Sequence, residues 1–412
     1  MESYADKLKN RLNDAAYNYR RESFIRFLKS PVRNYKESPT VKDYVDITDG
    51  ELETMANGEA VSGSPENLRD VTGDILTYGN TIKISDSLKA DGIEVNSLPE
   101  ITAGDDRRHD DYIFSEYGRD RIEFLINSSW SEGMLVNIPS GKKVSLSATT
   151  FLHSGESGSR KIIVVCGDDT VVDYADSWYS FGEGSGVQGK NIYFILGKNS
   201  KVKYLYLQDK EKSVTDITFV RQIMSEYSEF NFYHINHGSG KVLFSDESVQ
   251  NGDNSDFRVY GVNFTSGEQK MDIRDSSFQP GKKTSAEINV RGVVTGSGTT
   301  IHRGNIDLEE QSLNSSGFYD SKILLLSRKG YANSKPGLMI KNSNTRSKHG
   351  SSISSVDSDQ LFYLQSRGID LKVARNLITG GFVGSMIERA NNRHFSEKIN
   401  KYSEDLDIDE FF

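Results

Sequence analysis

Among 412 residues there is one cysteine, Cys166. One thiol cannot close an internal disulfide, so a disulfide-stapled secreted domain is excluded. Any all-cysteine zinc or cluster site built from a single copy is excluded with it. Proline is scarce, 7 residues against 36 glycines, a balance that favours turn-rich β structure over disorder. There is no basic excess: 50 Lys and Arg are interspersed with 59 Asp and Glu, for a net charge of −9. The chain therefore lacks the basic stripe that nucleic-acid binding needs, and its negative charge serves solubility. No apolar run reaches the roughly 18 residues of a membrane span. The opening MESYADKLKNRLND has no apolar signal-peptide core. Together these absences predict a cytoplasmic protein that binds neither nucleic acid nor membrane.

Hydrophobic residues make up only 35% of the chain, which suits an elongated fold with much surface for its core. Three regions are legible. In the first, residues 1–73, Ala5, Leu8, Leu12, Ala16 and Tyr19 recur at helical spacing. A second short helix is predicted from Ser23 to Lys29, ended by Pro31. Residues 34–65 read as polar loop or short helix. From Asp74 to about residue 350 the period becomes that of strands. ILTYGNTIKIS alternates, and short β segments follow: IEFLIN, MLVNIP, KKVSLSA, KIIVVC, TVVDYAD, IYFILG, VKYLYLQ, ITFVRQIM, EFNFYHIN, KVLFSD and others down to GLMIKN. Turns rich in Gly, Asn, Asp and Ser separate them. Without crossover helices the pattern excludes a doubly wound α/β sheet. A single sandwich of this length is not expected. Stacked solenoid coils explain it better, with two or three strands per coil, although no sequence period is evident.

The third region, residues 351–412, is helical again. Asp357 and Gln360 have the form of a capping box. Leu361, Phe362 and Leu364 follow, and Gly368 stops that helix. Asp370 is the predicted N-cap of the next, with Val373, Ala374, Leu377 and Ile378 on one face. That helix is expected to stop at Gly380 and Gly381. Phe382, Val383, Met386, Ile387 and Ala390 form a further apolar face, and YSEDLDIDEFF reads as a mobile acidic tail.

Several blocks in the last third match a known pattern: VVTGSGTTIHRGNIDL (Val293–Leu308), KILLLSRKGYANSKPGLMIKN (Lys322–Asn342), KHG (Lys348–Gly350) and DQLFYLQSRGI (Asp359–Ile369). More loosely, NSSWSEGMLVNIPSGKKV (Asn127–Val144) resembles first solenoid turns, and PVRNYKESPTVKDY is similar in form. In these blocks the chain resembles the SufB/SufD family, scaffold subunits of the SUF iron–sulfur cluster assembly machinery. The resemblance implies a right-handed parallel β-helix flanked by N- and C-terminal helical regions. It implies a non-enzymatic scaffold that pairs through the β-helix with a SufB-like paralogue or a second copy of itself. It also implies that the C-terminal helices dock a SufC-type ABC ATPase, here through Leu361, Phe362, Arg367, Ala374, Arg375, Leu377, Phe382 and Met386. No cofactor is expected to be permanently bound; a transient iron–sulfur cluster at the dimer interface is the implied cargo. SufD is the nearer likeness. Where SufB-like members carry a sulfur-accepting cysteine, this chain reads ADSW (Ala175–Trp178), and His349 occupies the position of the SufD histidine.

Each candidate site has a plainer reading. His349 lies in a polar stretch, and a neutral imidazole suits iron; the alternative is a surface or interface histidine. Cys166 ends an apolar strand and reads as a small hydrophobe, with Asp168 and Asp169 expected to raise its pKa. GSGVQGKN (Gly184–Asn191) nearly spells a phosphate loop, but Asn191 follows the lysine and a strand comes next, so a solenoid turn is expected. His234 and His237 are three apart on a strand and point to opposite faces; solvated histidines at a strand end are expected. The C-terminal apolar faces could pack on the end of the β-helix, as repeat proteins need caps. They could equally present one face to a partner groove, with Arg367 and Arg375 as a polar rim. A competing class is a β-helix lyase or hydrolase using Asp246, Glu247, Asp253 and Asp256, which would need them clustered in one groove.

Overall fold

The computed structural model describes residues 12–31, 45–58, 73–79, 81–104 and 107–406. Its body is a parallel β-solenoid, as expected. Sixteen strands pair off into eight coils, two strands to a coil. One sheet holds the even strands β4 (Glu132–Ile138), β6 (Gly158–Cys166), β8 (Val187–Leu196), β10 (Thr215–Met224), β12 (Lys241–Gln250), β14 (Lys270–Gln279), β16 (Thr299–Leu308) and β18 (Tyr331–Ile340). The other holds β5 (Lys143–His153), β7 (Val171–Phe181), β9 (Lys201–Asp209), β11 (Glu229–Asn236), β13 (Asp256–Thr265), β15 (Ser285–Val294), β17 (Ser315–Leu325) and β19 (Thr345–Ser355).

In-register parallel pairing stacks equivalent residues above one another. Tyr174, Tyr204, Phe232, Val259, Ile288 and Tyr319 hold a single rung position on β7 to β17. All six lie in one buried cluster between the two sheets. The rings of Tyr204 and Phe232 stack with centroids 5.1 Å apart. Burying such a column is the main driving force for the stack.

Coil length varies, which hides the period. Thr215 pairs with Lys241, 26 residues on, whereas Thr299 pairs with Tyr331, 32 residues on. A repeated corner does exist. Asp169, Asn199, Tyr227, Asn254, Lys283 and Asn314 all have φ between 54° and 61°. Each is followed by a buried Ser or Thr: Thr170, Ser200, Ser228, Ser255, Thr284 and Ser315. In the first five the hydroxyl donates to the carbonyl three residues back, at 2.7–3.4 Å. This closes the turn and satisfies a buried backbone oxygen.

Helices clothe the outer faces. Helices α1 (Asp14–Lys29), α2 (Asp49–Asn57) and α6 (Arg121–Ser129) share a buried cluster with the outer residues of β8, β10 and β12. Between α2 and α6 come β1 (Ile75–Tyr78), β2 (Thr81–Ile84), α3 (Asp86–Ala90), β3 (Glu94–Ser97), α4 (Leu98–Ala103) and α5 (Asp110–Ile113). At the far end of the chain lie α7 (Ser358–Ser366), α8 (Leu371–Ala390) and α9 (Arg393–Glu404).

The structure departs from the sequence reading at several places. IEFLIN is helix α6, not a strand. Asp120 and Glu123 form a capping box, and the helix is buried on all sides, which erases its period. The two helices read up to Lys29 are a single one from Asp14; Ala5 and Leu8 lie outside the described residues, as does most of the 34–65 segment. Helix α8 does not stop at Gly380 and Gly381. Its later turns are held by packing of Val383, Met386 and Ala390 against the sheet, which outweighs the glycine penalty of about 1 kcal/mol each. The C-terminal helices do not cap the end of the solenoid. They lie along its side, on Leu205, Tyr233, Ile235, Tyr260 and Val262 of β9, β11 and β13.

Candidate functional site

The last coil ends in open strand edges. Among the described residues, strand β19 pairs only with β17, and β18 only with β16. Exposed apolar side chains gather there: Phe318, Tyr331, Met339, Ile340 and Ile353. His349 stands on β19 opposite Tyr319 and is exposed. Because Tyr319 belongs to the interior column, His349 occupies the next rung of that column, where the interior meets solvent. The sequence reading placed His349 in a polar stretch before the terminal helices; that stretch is the terminal strand. TRSKHGSSISS carries little apolar signal because neither face of this edge strand is buried.

The helical candidates separate into two groups. Leu361, Ala374, Arg375 and Met386 are buried, and Phe382 is half-buried against the sheet cluster. Phe362, at 73% exposure, and Leu377, at 54%, face solvent, together with Tyr363 and Val373. Arg367 is exposed and donates to Tyr363 Oη at 3.3 Å. A groove of about 540 Å³ beside Val373 and Leu377 is lined by Lys372, Asn376, Asn400 and Glu404.

Helix α9 was not read from the sequence. Its Tyr402 stacks on His237, with centroids 3.8 Å apart, and donates to Asp209 Oδ2 at 2.5 Å. Asp209 also meets His237 Nδ1 at 2.9 Å. Tyr402 and Ser403 are buried, so the expected mobile tail is packed at least to Leu406; residues 407–412 lie outside the described residues. Phe395, Ile399 and Tyr402, spaced by four and three, were the available helical signal.

Cys166 is buried in the interior cluster. Burial alone, rather than Asp168 or Asp169, pushes its thiol up to about 12, which makes it inert at neutral pH. Asp176, in the ADSW segment, faces the interior and accepts from Tyr204 Oη at 2.8 Å. Burial raises its carboxyl to about 6. Only the first three residues of the phosphate-loop lookalike, Gly184–Gly186, belong to a solenoid turn; Val187–Asn191 already lie in β8. Its Lys190 is buried and reaches Asp216 Oδ1 at 2.9 Å. Burial alone would raise the Asp216 carboxyl, but Lys190 and Lys210 hold it well below the usual carboxylate range.

His234 and His237 do diverge. His234 is not solvated, however: it is fully buried, with Nε2 3.1 Å from Asp275 Oδ1. The four carboxylates of the rival reading do not converge. Asp246 faces the interior and bonds Gln222. Glu247 pairs with Arg221 on the outer face. Asp253 caps Lys282 N in a turn, and Asp256 accepts from Ser285. Among the described residues, no group of three or more His, Cys, Asp and Glu is placed to hold a metal ion, and no helix is long and apolar enough to cross a membrane.

Comparison with known proteins fits this geometry. The profile described as "SUF system FeS cluster assembly, SufBD core domain" matches residues 151–382. The chain is 26% identical over 289 residues to "Protein ABCI7, chloroplastic" of Arabidopsis thaliana, covering 66% of this chain and 60% of that one. It is 22% identical over 331 residues to an iron–sulfur cluster assembly SufBD family protein of Synechocystis sp., covering 76% and 68%. A SufBD family protein of Staphylococcus epidermidis is 22% identical over 290 residues, covering 67% and 62%. The chain thus spans roughly three fifths of the length of the first relatives it matches, between 56% and 68%.

Proposed function

Because this chain belongs to the SufBD family of iron–sulfur cluster assembly proteins, we propose that it is a SufD-like, non-catalytic scaffold subunit of a SUF complex, working in the cytoplasm. It pairs through the open end of its solenoid with a SufB-like paralogue or with a second copy of itself. It docks a SufC-type ABC ATPase on its C-terminal helices. The observation that carries this reading is the uncapped last coil. Two bare strand edges and five exposed apolar side chains are a liability in a protein that works alone. A second chain adding strands would cover both.

His349 then lies at the junction and is the candidate ligand for a transient iron–sulfur cargo. A neutral imidazole is a competent iron ligand, but thiolates are the usual ones, and the single thiol here is buried and held protonated. The cysteines must come from a SufB-like paralogue, since a second copy of this chain carries the same buried thiol. ATPase docking falls to the exposed subset, Phe362, Tyr363, Val373 and Leu377, with Arg367 at the rim. The buried members Leu361, Ala374, Arg375 and Met386 shape that surface from behind. ATP-driven closure of two docked ATPases would strain the junction only if its two arrangements differ in affinity for the closed motor.

The test is anaerobic co-purification with the ATPase and the paralogue. Phe362→Asp with Leu377→Asp is expected to abolish ATPase capture while leaving the fold intact. His349→Ala is expected to lower bound iron and sulfide without dissociating the complex. Retained ATPase binding in the first variant, or unchanged iron and sulfide in the second, would sink the corresponding assignment. Mass measurement of the protein purified alone separates homodimer from monomer.

A further inference from the structure

The interior of the fourth to seventh coils contains a polar chain within the apolar column. Asp246 on β12 and Asp275 on β14 stand opposite each other in register, about 4.8 Å apart at the backbone. Both are fully buried, and each keeps one oxygen, Oδ2, without a hydrogen-bond partner. From the geometry of this chain we propose that the interior holds a proton-binding site, with Asp246 as the protonated carboxyl and Asp275 as its ionised neighbour.

The assignment follows from donors and acceptors. Asn236 Nδ2 donates to Asn263 Oδ1 at 2.9 Å, which fixes its amide orientation. The same nitrogen lies 3.2 Å from His234 Nδ1, so that ring nitrogen is the acceptor. The ring proton of His234 is therefore on Nε2, which donates to Asp275 Oδ1 at 3.1 Å. A carboxyl that receives this bond is best satisfied ionised. Asp246 receives only the Gln222 amide, at 2.7 Å. Among the described residues, neither carboxyl forms an ion pair with Lys or Arg. Two fully buried carboxylates this close, with no cation paired to either, cannot both ionise.

The other groups facing the pair do not supply a compensating charge. His302, on β16, takes its bond from Asn263 at Nε2 and meets Ser321 Oγ at 3.0 Å through Nδ1. Burial pushes it down to about 3, so it is neutral. Tyr319 is buried and its hydroxyl stays protonated. Arg221 and Glu247 lie across the sheet on its outer face and pair with each other, and Arg221 also with Glu123. Burial first, and then the charge of Asp275, raises the Asp246 carboxyl well above the usual carboxylate range. Since the unfolded chain would release this proton at an ordinary carboxylate pH, the folded chain binds more protons. Stability must therefore fall as pH rises from the ordinary carboxylate range through the folded value.

Thermal unfolding of the full chain between pH 6 and pH 9 tests the site. The wild type is expected to lose several degrees of midpoint relative to Asp246→Asn, whose neutral amide can still accept from Gln222. A wild-type-minus-variant infrared spectrum at pH 7 should contain a protonated-carboxyl band. If the amide variant does not fold, Asp246→Leu provides the same neutral comparison. Parallel pH slopes for wild type and variant, or no such band, would overturn the proposal. So would a band that vanishes in Asp275→Asn and persists in Asp246→Asn. These readouts are independent of any partner, so they stand or fall apart from the scaffold reading.

Discussion

The two ends of the solenoid are built to opposite specifications. At the N-terminal end the first coil is closed twice. Strand β1 runs parallel to β5 and carries β2 antiparallel on its far side, and β3 runs antiparallel to β4. Ile75, Leu88 and Ile93 of this closure are buried in the interior cluster. At the C-terminal end, among the described residues, β18 and β19 each have a bare outer edge, and the apolar side chains near them face water. Reversing strand direction is an effective stop, because an antiparallel strand cannot be continued by another coil of the same kind. A parallel stack that simply ends still offers its template. One end is finished by this chain's own strands, and the other is left with open edges.

The largest effect should come from the middle of the interior, between the two ends. Asp216→Ala would strand Lys190 and Lys210, both buried, without their shared carboxylate. Removing one partner of a buried ion pair costs about 3–5 kcal/mol, measurable by urea unfolding. Next, Ile75→Ala in the closing strand is expected to cost about 2–4 kcal/mol as a core truncation. A cost below about 1 kcal/mol would show that the closure is not needed.

A pH effect ranks third. Lys161, on the outer face of β6, is buried against Tyr19 of α1 and the Ile113 carbonyl, at 2.7 Å from each. Burial depresses its ammonium to about 7. Between there and the unfolded value near 10.4, the unfolded chain binds the extra proton. Stability should therefore climb with pH across that window, and Lys161→Met should remove that climb. Hydrogen exchange of α1 would locate the effect. The smallest folding effect belongs to the open end: Ile353→Asp should change monomer stability by no more than about 0.5 kcal/mol. It should nevertheless disrupt pairing with the paralogue or with a second copy, read by light scattering. If Ile353→Asp unfolds the monomer, the contrast between the ends is lost.

Strands with one buried face were legible. KKVSLSA and TVVDYAD alternate in sequence, and β5 and β7 alternate in burial. What was misread shares a cause: an environment that removes the period. Helix α6 is buried all round, so IEFLIN looked like a strand. Strand β19 is exposed on both faces, so TRSKHGSSISS read only as a polar stretch. The sheet beneath α8 carried that helix through Gly380 and Gly381. The coil repeat was present at Thr170, Ser200, Ser228, Ser255 and Thr284, but it is two residues wide within coils of changing length. Among the candidate docking residues, sequence spacing found the helices without showing which faces the sheet would claim.

Composition and alternation by themselves pointed to stacked solenoid coils with helical ends, because a strand's period and a missing crossover helix are local properties of the chain. The blocks from Val293 to Ile369 determined the family. Only tertiary structure decided that the C-terminal helices lie along the sheet, that His349 tops an interior column, and that Asp246 and Asp275 meet. The last two depend on which residues stack across coils 26 to 32 positions apart, and the first on contacts such as Tyr402 with Asp209, 193 positions apart. Local propensity extends over a few residues and cannot encode a contact at that separation.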